Sequence, residues 1–329
     1  MDRQLIFDIL YACAACDGRE ERIFGDCGAD VRRAFAASLA GNSFPEVWLE
    51  APLTGAPWTD FHSLVSHDDV AGTDVAYAGH DGVYADALAW FAAQRPGTVR
   101  QLALSYDTSA GIVDAPAVQV LLNGRDESVP LGFLDAVGRE DARGAYRTFV
   151  RSMPDDWYAC YVGAFPQRRD DFVRVECIQE GELQAAYAHD VDTLAHDLAL
   201  VGMSEVDKSA LEVISGLAGM PFPLELQFNV GMDGSALPAV SASLRFGPRD
   251  WTDPERFGKI GALGAWLAAR GLADDRLGVL PGTAFAKRLT REGSQVSLSC
   301  YPAFVKVRWR EGEPLDAKTY LIGTVKEGE

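Results

Sequence analysis

Along most of this chain the hydrophobic positions change period in a fixed order: two short stretches alternate apolar and polar residues, and a stretch at helical spacing follows. The alternating pairs are Val47 to Leu53 with Phe61 to Ser66, Arg100 to Asp107 with Ala117 to Asn123, Trp157 to Gly163 with Phe172 to Ile178, and Leu224 to Val230 with Val240 to Phe246. The last unit runs from Gln295 to Tyr301 and Phe304 to Trp309, read as one strand interrupted at Pro302, and is closed by Ala317 to Ile322, with three separate strands there as the alternative. Helical periodicity covers Tyr84 to Gln94, Leu131 to Met153, Leu183 to Val201, Lys208 to Ala218 and Pro254 to Arg270. Ahead of these units, Leu5, Ile9 and Leu10, then Val31, Phe35 and Leu39, predict helices within residues 1–41, ended by Gly41-Asn42.

The alternation also assigns faces, because successive side chains of a strand point to opposite sides. Leu224, Leu226, Phe228 and Val230 share one side and leave Glu225, Gln227 and Asn229 on the other. Ala242, Leu244 and Phe246 oppose Ser241, Ser243 and Arg245; Val173, Val175 and Cys177 oppose Arg174 and Glu176. Val305, Val307 and Trp309 oppose Lys306 and Arg308, and Ala317, Thr319 and Leu321 oppose Lys318 and Tyr320. Five such units give about ten antiparallel strands, each with one apolar and one polar face, and a twisted open sheet of that size tends to curl or split. Closing the sheet removes its edges and turns the polar face into a lumen, with helices on the apolar outside. The expected fold is therefore α+β: one barrel domain over residues 1–329, a closed ten-stranded antiparallel β-barrel ringed by outer α-helices, with repeated strand-strand-helix units over 45–325. Two smaller α+β domains are the alternative.

Charge narrows the partners. With 30 Lys and Arg against 48 Asp and Glu the net charge is −18, which disfavours nucleic acid and anionic membranes. An anionic ligand has to be held by a local cationic cluster working against the global field. The chain has no run of about 18 apolar residues that would span a membrane, and its six cysteines, scattered from Cys13 to Cys300, suit a reducing cytoplasm.

Repeated antiparallel hairpins, outer helices and a polar lumen resemble the ABBA or PT-barrel prenyltransferases, both the aromatic and the cyanobactin-like peptide enzymes. Lys318-Thr319-Tyr320 has the Lys-x-Tyr form that such enzymes carry on strands, Lys306-Val307-Arg308 presents two cations in the same alternation, and Glu50 in Val47-Trp48-Leu49-Glu50 stands where many members place a first-strand glutamate. The resemblance implies transfer of a prenyl group from an allylic diphosphate to an aromatic or peptide-borne acceptor. It also implies Glu50 as proton acceptor and Tyr320 as a shield of the allylic cation. Arg174 and Arg245 depart from the pattern, having no Tyr two residues on.

The chemistry makes its own demand. Ionising an allylic diphosphate releases a multiply charged anion and a carbocation, so convergent cations and electron-rich rings are required together in a water-poor space. Arg174, Arg245, Lys306, Arg308 and Lys318 are the candidates for the diphosphate. Tyr161, Tyr301 and Tyr320 are candidates for the cation shield, and Trp58 and His62 lie beside the first hairpin, where an acceptor pocket would open. None of Asp68-Asp69, Asp170-Asp171 and Asp274-Asp275 continues as Asp-Asp-x-x-Asp, so no cofactor is expected to be required and magnesium is at most auxiliary. Cys13-Ala14-Ala15-Cys16, with Cys27 downstream, has no fourth Cys or His near it to complete a zinc site, and His189 and His196, seven apart on one expected helix, have no carboxylate constellation beside them. The rival reading is a noncatalytic accessory protein of a biosynthetic pathway that binds a peptide or a small anion.

Overall fold

The computed structural model describes residues 46–70, 82–107, 112–166, 171–179, 182–279, 285–291 and 294–327. The expected helices of residues 1–41, with Cys13 and Cys16, lie outside the described residues.

The strands are β1 (Glu46–Pro52), β2 (Asp60–Val65), β3 (Val99–Asp107), β4 (Ile112–Leu122), β5 (Trp157–Ala164), β6 (Phe172–Gln179), β7 (Leu224–Gly231), β8 (Ala236–Arg245), β9 (Phe285–Arg291), β10 (Ser294–Arg310) and β11 (Asp316–Glu327). All pairings are antiparallel, and the order β1 to β8, β10, β11 returns to β1, closing a ring of ten strands. The seam is well specified: Leu49 pairs with Leu321, Glu50 with Tyr320 and Pro52 with Lys318. β10 is one strand whose register shifts between Pro302 and Phe304, the irregularity that Pro302 signals in the sequence. Its first half pairs with β9 and its second half with β8, so β9 is an eleventh strand appended outside the ring.

Around the barrel stand α1 (His67–Val70), α2 (Val83–Ala93), α3 (Ser128–Ala136), α4 (Arg143–Ser152), α5 (Leu183–His189), α6 (Val191–Leu200), α7 (Lys208–Ala218), α8 (Pro254–Ala268) and α9 (Arg276–Val279). Two expected helices are each divided. Between α3 and α4 the chain turns at Gly138, whose φ of 68° few other residues adopt. Between α5 and α6, Asp190 adopts an extended conformation and its side chain accepts the Asp192 N–H, starting a new helix. His189 and His196 consequently sit on different helices, both exposed.

The core is the annulus between barrel and helices. Val47, Leu49, Phe61, Leu104, Val118, Val175, Leu226, Val240, Val305 and Leu321 point outward from the strands and are fully or almost fully buried against Tyr84, Phe91, Phe133, Phe149, Leu198, Leu217 and Leu263 of the helices. Each large apolar side chain buried this completely contributes roughly 1.5–3 kcal/mol. Phe228 of β7 shows the packing, with its ring 5.5 Å from Phe149 and 5.7 Å from Trp157. No helix among the described residues is long and apolar enough to cross a membrane.

Because neighbouring strands are antiparallel, the ends joined within each hairpin gather at one rim, and the longer helical connections leave from the opposite rim. The barrel thus has a hairpin end and a helix end, which orients the site.

Candidate active site

The inward positions of the strands are mostly polar or aromatic, with a few aliphatic residues such as Ala103, Leu121, Ile178 and Ile322 among them, and they enclose two chambers stacked along the barrel axis. The hairpin-end chamber has a volume of about 290 Å³ and is lined by Glu50, His62, Ser105, Gln119, Arg174, Glu176, Gln227, Asn229, Lys306, Arg308 and Lys318, among others. The helix-end chamber, about 620 Å³, is lined by Arg100, Glu225, Ser243, Arg245, Arg256 and Tyr301 with Phe246 and Tyr158. Trp48, Tyr161, Glu176, Lys306 and Tyr320 border both, so they form a waist between the two.

One side of that waist is built by the β1–β11–β10 seam, while Tyr161 and Glu176 come from β5 and β6. Trp48 lies two residues before Glu50 and therefore shares its face, and Phe304 has the same phase as Lys306. Trp48 is 5.4 Å from Phe304 and 6.4 Å from Tyr320, edge-on to the latter, while Phe304 and Tyr320 are 5.9 Å apart. Lys306 Nζ stands 5.2 Å from the Tyr320 ring centre. Sequence reasoning passed over Trp48 and Phe304, although strand phase alone assigns both to the lumen.

Glu50 is the hub of the polar groups. Its Oε1 accepts from Lys318 Nζ at 2.7 Å and its Oε2 lies 3.2 Å from His62 Nε2. His62 Nδ1 in turn shares a hydrogen bond of 2.6 Å with Ser105 Oγ. Burial works to raise the Glu50 pKa, but the Lys318 charge, the His62 contact and Lys306 outweigh it and hold the carboxyl well below the usual range. Next to it Asp60 moves the other way: burial and the charges of Glu50 and Asp107 push it up to about 8, so it is largely protonated at neutral pH. Tyr320 is raised well above an ordinary phenol, first by burial and then by the Glu50 charge. It stays neutral, offering its ring face to a cation without a phenolate oxygen that would capture one.

The predicted cations are arranged unequally. Arg174, Lys306, Arg308 and Lys318 converge on the hairpin-end chamber. Lys306 and Lys318 are directly opposite each other in the β10–β11 register, an arrangement of like charges that destabilises a sheet. Among the described residues, Arg174 and Lys306 have amide partners and not carboxylates: Arg174 Nε donates to Asn229 Oδ1 at 3.1 Å, and Lys306 Nζ to Gln227 Oε1 at 3.4 Å. Arg308 is held by Asp316 at 2.5 Å. Arg245 does not join this group. It lines the helix-end chamber and pairs with Glu225 at 3.2 Å, where burial and the Glu176 charge raise the glutamate to about 7.

Of the predicted aromatic residues, Tyr161 and Tyr320 lie at the waist and Tyr301 lies in the helix-end chamber, apart from the cation cluster. Tyr161 is also raised well above the usual phenol range, mainly by burial. Trp58, in the β1–β2 turn, stacks under Lys318, whose Nζ is 4.4 Å from the ring centre. It is not among the residues that line either chamber. His62 is inside, 5.7 Å from Tyr320, as a partner of Glu50. Among the described residues no group of three or more His, Cys, Asp or Glu is placed to hold a metal ion.

A closed ring of ten antiparallel strands with helices outside is the ABBA, or PT-barrel, fold. Solved structures with this architecture include a 6-dimethylallyltryptophan synthase from Micromonospora olivasterospora in complex with DMASPP and Trp, which matches 98% of this chain and 97% of its own at TM-score 0.54 and 14% identity. A further 6-dimethylallyl tryptophan synthase matches at TM-score 0.55 and 15% identity, covering 98% and 96%, and the prenyltransferase PriB in its apo form at 0.55 and 14%, covering 98% and 95%. No protein-family model matches the chain, and no curated protein matches it in sequence. At such low identity the likeness carries the fold, and the chemistry has to be argued from this chain's own residues.

Proposed function

We propose that this protein transfers a prenyl group from an allylic diphosphate to an electron-rich aromatic ring, free or peptide-borne. The observation that supports this best is the juxtaposition of Lys306 and Lys318 across β10 and β11 beside the Trp48–Phe304–Tyr320 cluster. A sheet places two cations opposite each other only at a cost, and an anion bound between them removes it. Lys306, Lys318, Arg174 and Arg308 grip the diphosphate, Arg174 and Lys306 being most available because neutral amides hold them. Tyr320, Tyr161 and Trp48 face the allylic cation. Glu50, fully ionised at neutral pH, orients the acceptor and removes the proton whose loss restores aromaticity.

The fold neighbours include synthases whose names specify tryptophan, one of them solved with DMASPP and Trp. That favours an indole acceptor, with free tryptophan to be tried before peptides. Direct Lys and Arg contacts make magnesium auxiliary, so turnover is expected to persist in EDTA. The test is incubation with dimethylallyl, geranyl and farnesyl diphosphates against tryptophan, tyrosine and peptides containing them, read by mass spectrometry. A prenylated product is expected. The internal pairs Lys318–Glu50, Arg308–Asp316 and Arg245–Glu225 favour a second reading, a noncatalytic anion-binding barrel, which diphosphate binding without turnover would select.

A further inference from the structure

The helix-end chamber is lined by Arg100, Arg245 and Arg256, and two of these guanidiniums are committed. Arg245 pairs with Glu225 at 3.2 Å, and Arg256 pairs with Asp250, whose other oxygen accepts the Gly247 N–H. Arg100 differs. Among the described residues its guanidinium makes no hydrogen bond or ion pair. Glu46, which lines the same chamber from β1, is engaged elsewhere: its Oε1 accepts from Trp48 Nε1 at 2.6 Å and its Oε2 from Gln101 Nε2 at 3.1 Å. The backbone is what brings Arg100 there. β3 shifts register against β4 between Val99 and Gln101, an irregularity of the kind that re-aims a side chain, and beyond it Val99 packs in the core while Arg100 lines the chamber. An arginine on a rim is ordinarily only solvated; this one is turned into a chamber whose other cations are already balanced, with room for one anionic partner.

We infer that Arg100 anchors a carboxylate of the acceptor, so that the acceptor carries its own acid group beside the aromatic ring: a free aromatic amino acid or a C-terminal aromatic residue, and not an internal residue of a peptide. This rests on the transferase reading above. A planar guanidinium presents two parallel donors that match one carboxylate. One uncommitted cation suits a single negative charge, whereas the hairpin-end chamber, where amides hold both Arg174 and Lys306, suits a diphosphate. Tyr301, kept a neutral phenol chiefly by burial and lying within reach of the Arg100 charge, has an O–H to offer the same group. The spacing agrees. Trp48 is level with His62 and His62 with Ser105, so Arg100 stands five positions along β3 from the waist, roughly 16 Å. An arginine side chain reaching back and an aromatic amino acid span that length together, which leaves the ring among Trp48, Tyr161, Phe304 and Tyr320, next to Glu50. An internal peptide residue has an amide where the carboxylate would sit and gains nothing from the charge of Arg100.

The test uses acceptors that differ only at the acid group, tryptophan against tryptophanamide and tyrosine against tyrosinamide. Calorimetric titration of the full chain, with and without inorganic diphosphate, gives their affinities, and transfer from dimethylallyl diphosphate gives kcat/KM for each. In at least one pair the acid is expected to bind about 30-fold more tightly than its amide and to react with a kcat/KM higher by a similar factor. Arg100→Gln is expected to reduce that preference to about threefold or less while the affinity for inorganic diphosphate stays as in the wild type. Arg100→Lys, which keeps the charge without the fork, is expected to retain part of it. A wild type that shows no preference in either pair, a preference that survives Arg100→Gln, or a loss of diphosphate affinity in that variant overturns the inference. The two readings fail separately. Prenylation of acid and amide alike overturns the carboxylate anchor and leaves the transferase standing. Acid-selective binding that depends on Arg100, with no acceptor prenylated, overturns the transferase reading and leaves the carboxylate site.

Discussion

Arg174 and Arg308 line the same chamber but differ in what holds them. Asn229 can release the Arg174 guanidinium to an incoming anion without leaving a naked charge, whereas Arg308 is committed to Asp316. A charge-assisted contact to a ligand is worth about 2–3 kcal/mol. Arg174→Ala is therefore expected to weaken dimethylallyl diphosphate binding about 30- to 150-fold. Arg308→Ala should do distinctly less, and calorimetric titration of both variants gives the ranking. Asp60 carries a prediction of opposite character. Its pKa is raised to about 8 in the fold, so between about pH 4, where an unfolded aspartate titrates, and that value the folded state binds the extra proton and stability declines as pH rises. Asp60→Asn should flatten that decline. The variant should gain melting temperature relative to wild type at pH 8 and progressively less towards about pH 4, by calorimetry across the range. Glu50 slopes the other way: its lowered pKa contributes stability that is present above about pH 4.3 and lost as pH falls through the folded value.

At the level of elements, α9 serves as a latch for the first hairpin. Arg276 donates to the carbonyl of Pro52 at 3.1 Å and to that of Gly55, Asp274 positions its guanidinium, and the Asp274 N–H bonds Leu53 O at 2.9 Å. These contacts hold the turn that carries Trp58 under Lys318. Arg276→Ala should free that turn, with faster amide hydrogen exchange confined to residues 53–59 and a weaker hold on substrate at the hairpin rim. The sequence discloses such elements unevenly, for physical reasons. α7 is found at its full span, Lys208–Ala218, because one clean apolar stripe runs through it. The breaks at Gly138 and Asp190 interrupt stripes that continue on the far side, so periodicity alone joins them. β9 was unforeseen because Phe285–Arg291 carries Lys287, Arg288 and Arg291 in place of an apolar alternation, and it pairs only with β10 outside the ring. The inward direction of each charged side chain was legible from strand phase. Its height along the axis depends on the stagger between strands, and this is why Arg245 and Tyr301 sit at the helix end, away from Lys318 and Arg308.

For the whole molecule the charge of −18 and the cationic chamber pull in opposite directions. On the proposed reading a diphosphate would approach through repulsion that extends about a Debye length and would be bound by contacts far shorter than that. Raising ionic strength from about 10 to about 150 mM should therefore speed diphosphate association, the reverse of what a basic protein shows. Stopped-flow quenching of tryptophan fluorescence would measure it, Trp48 at the waist being a natural reporter. A rate that falls with salt would place the capture step under a local positive field and change the account of entry.

The seam between β1 and β11 has a consequence in time. Glu50 meets Lys318 and Tyr320 across 268 and 270 intervening steps of sequence respectively, so the two halves of the site are translated far apart and meet only when the ring shuts. Until β11 has left the ribosome, β1 and β10 present unpaired edges, a hazard for sticking to other chains. A nascent barrel lacking β11 already holds Glu50 but has neither the Lys306–Lys318 pair nor Tyr320 and no closed interior, so under the proposed chemistry it would not ionise an allylic diphosphate before the vessel is sealed.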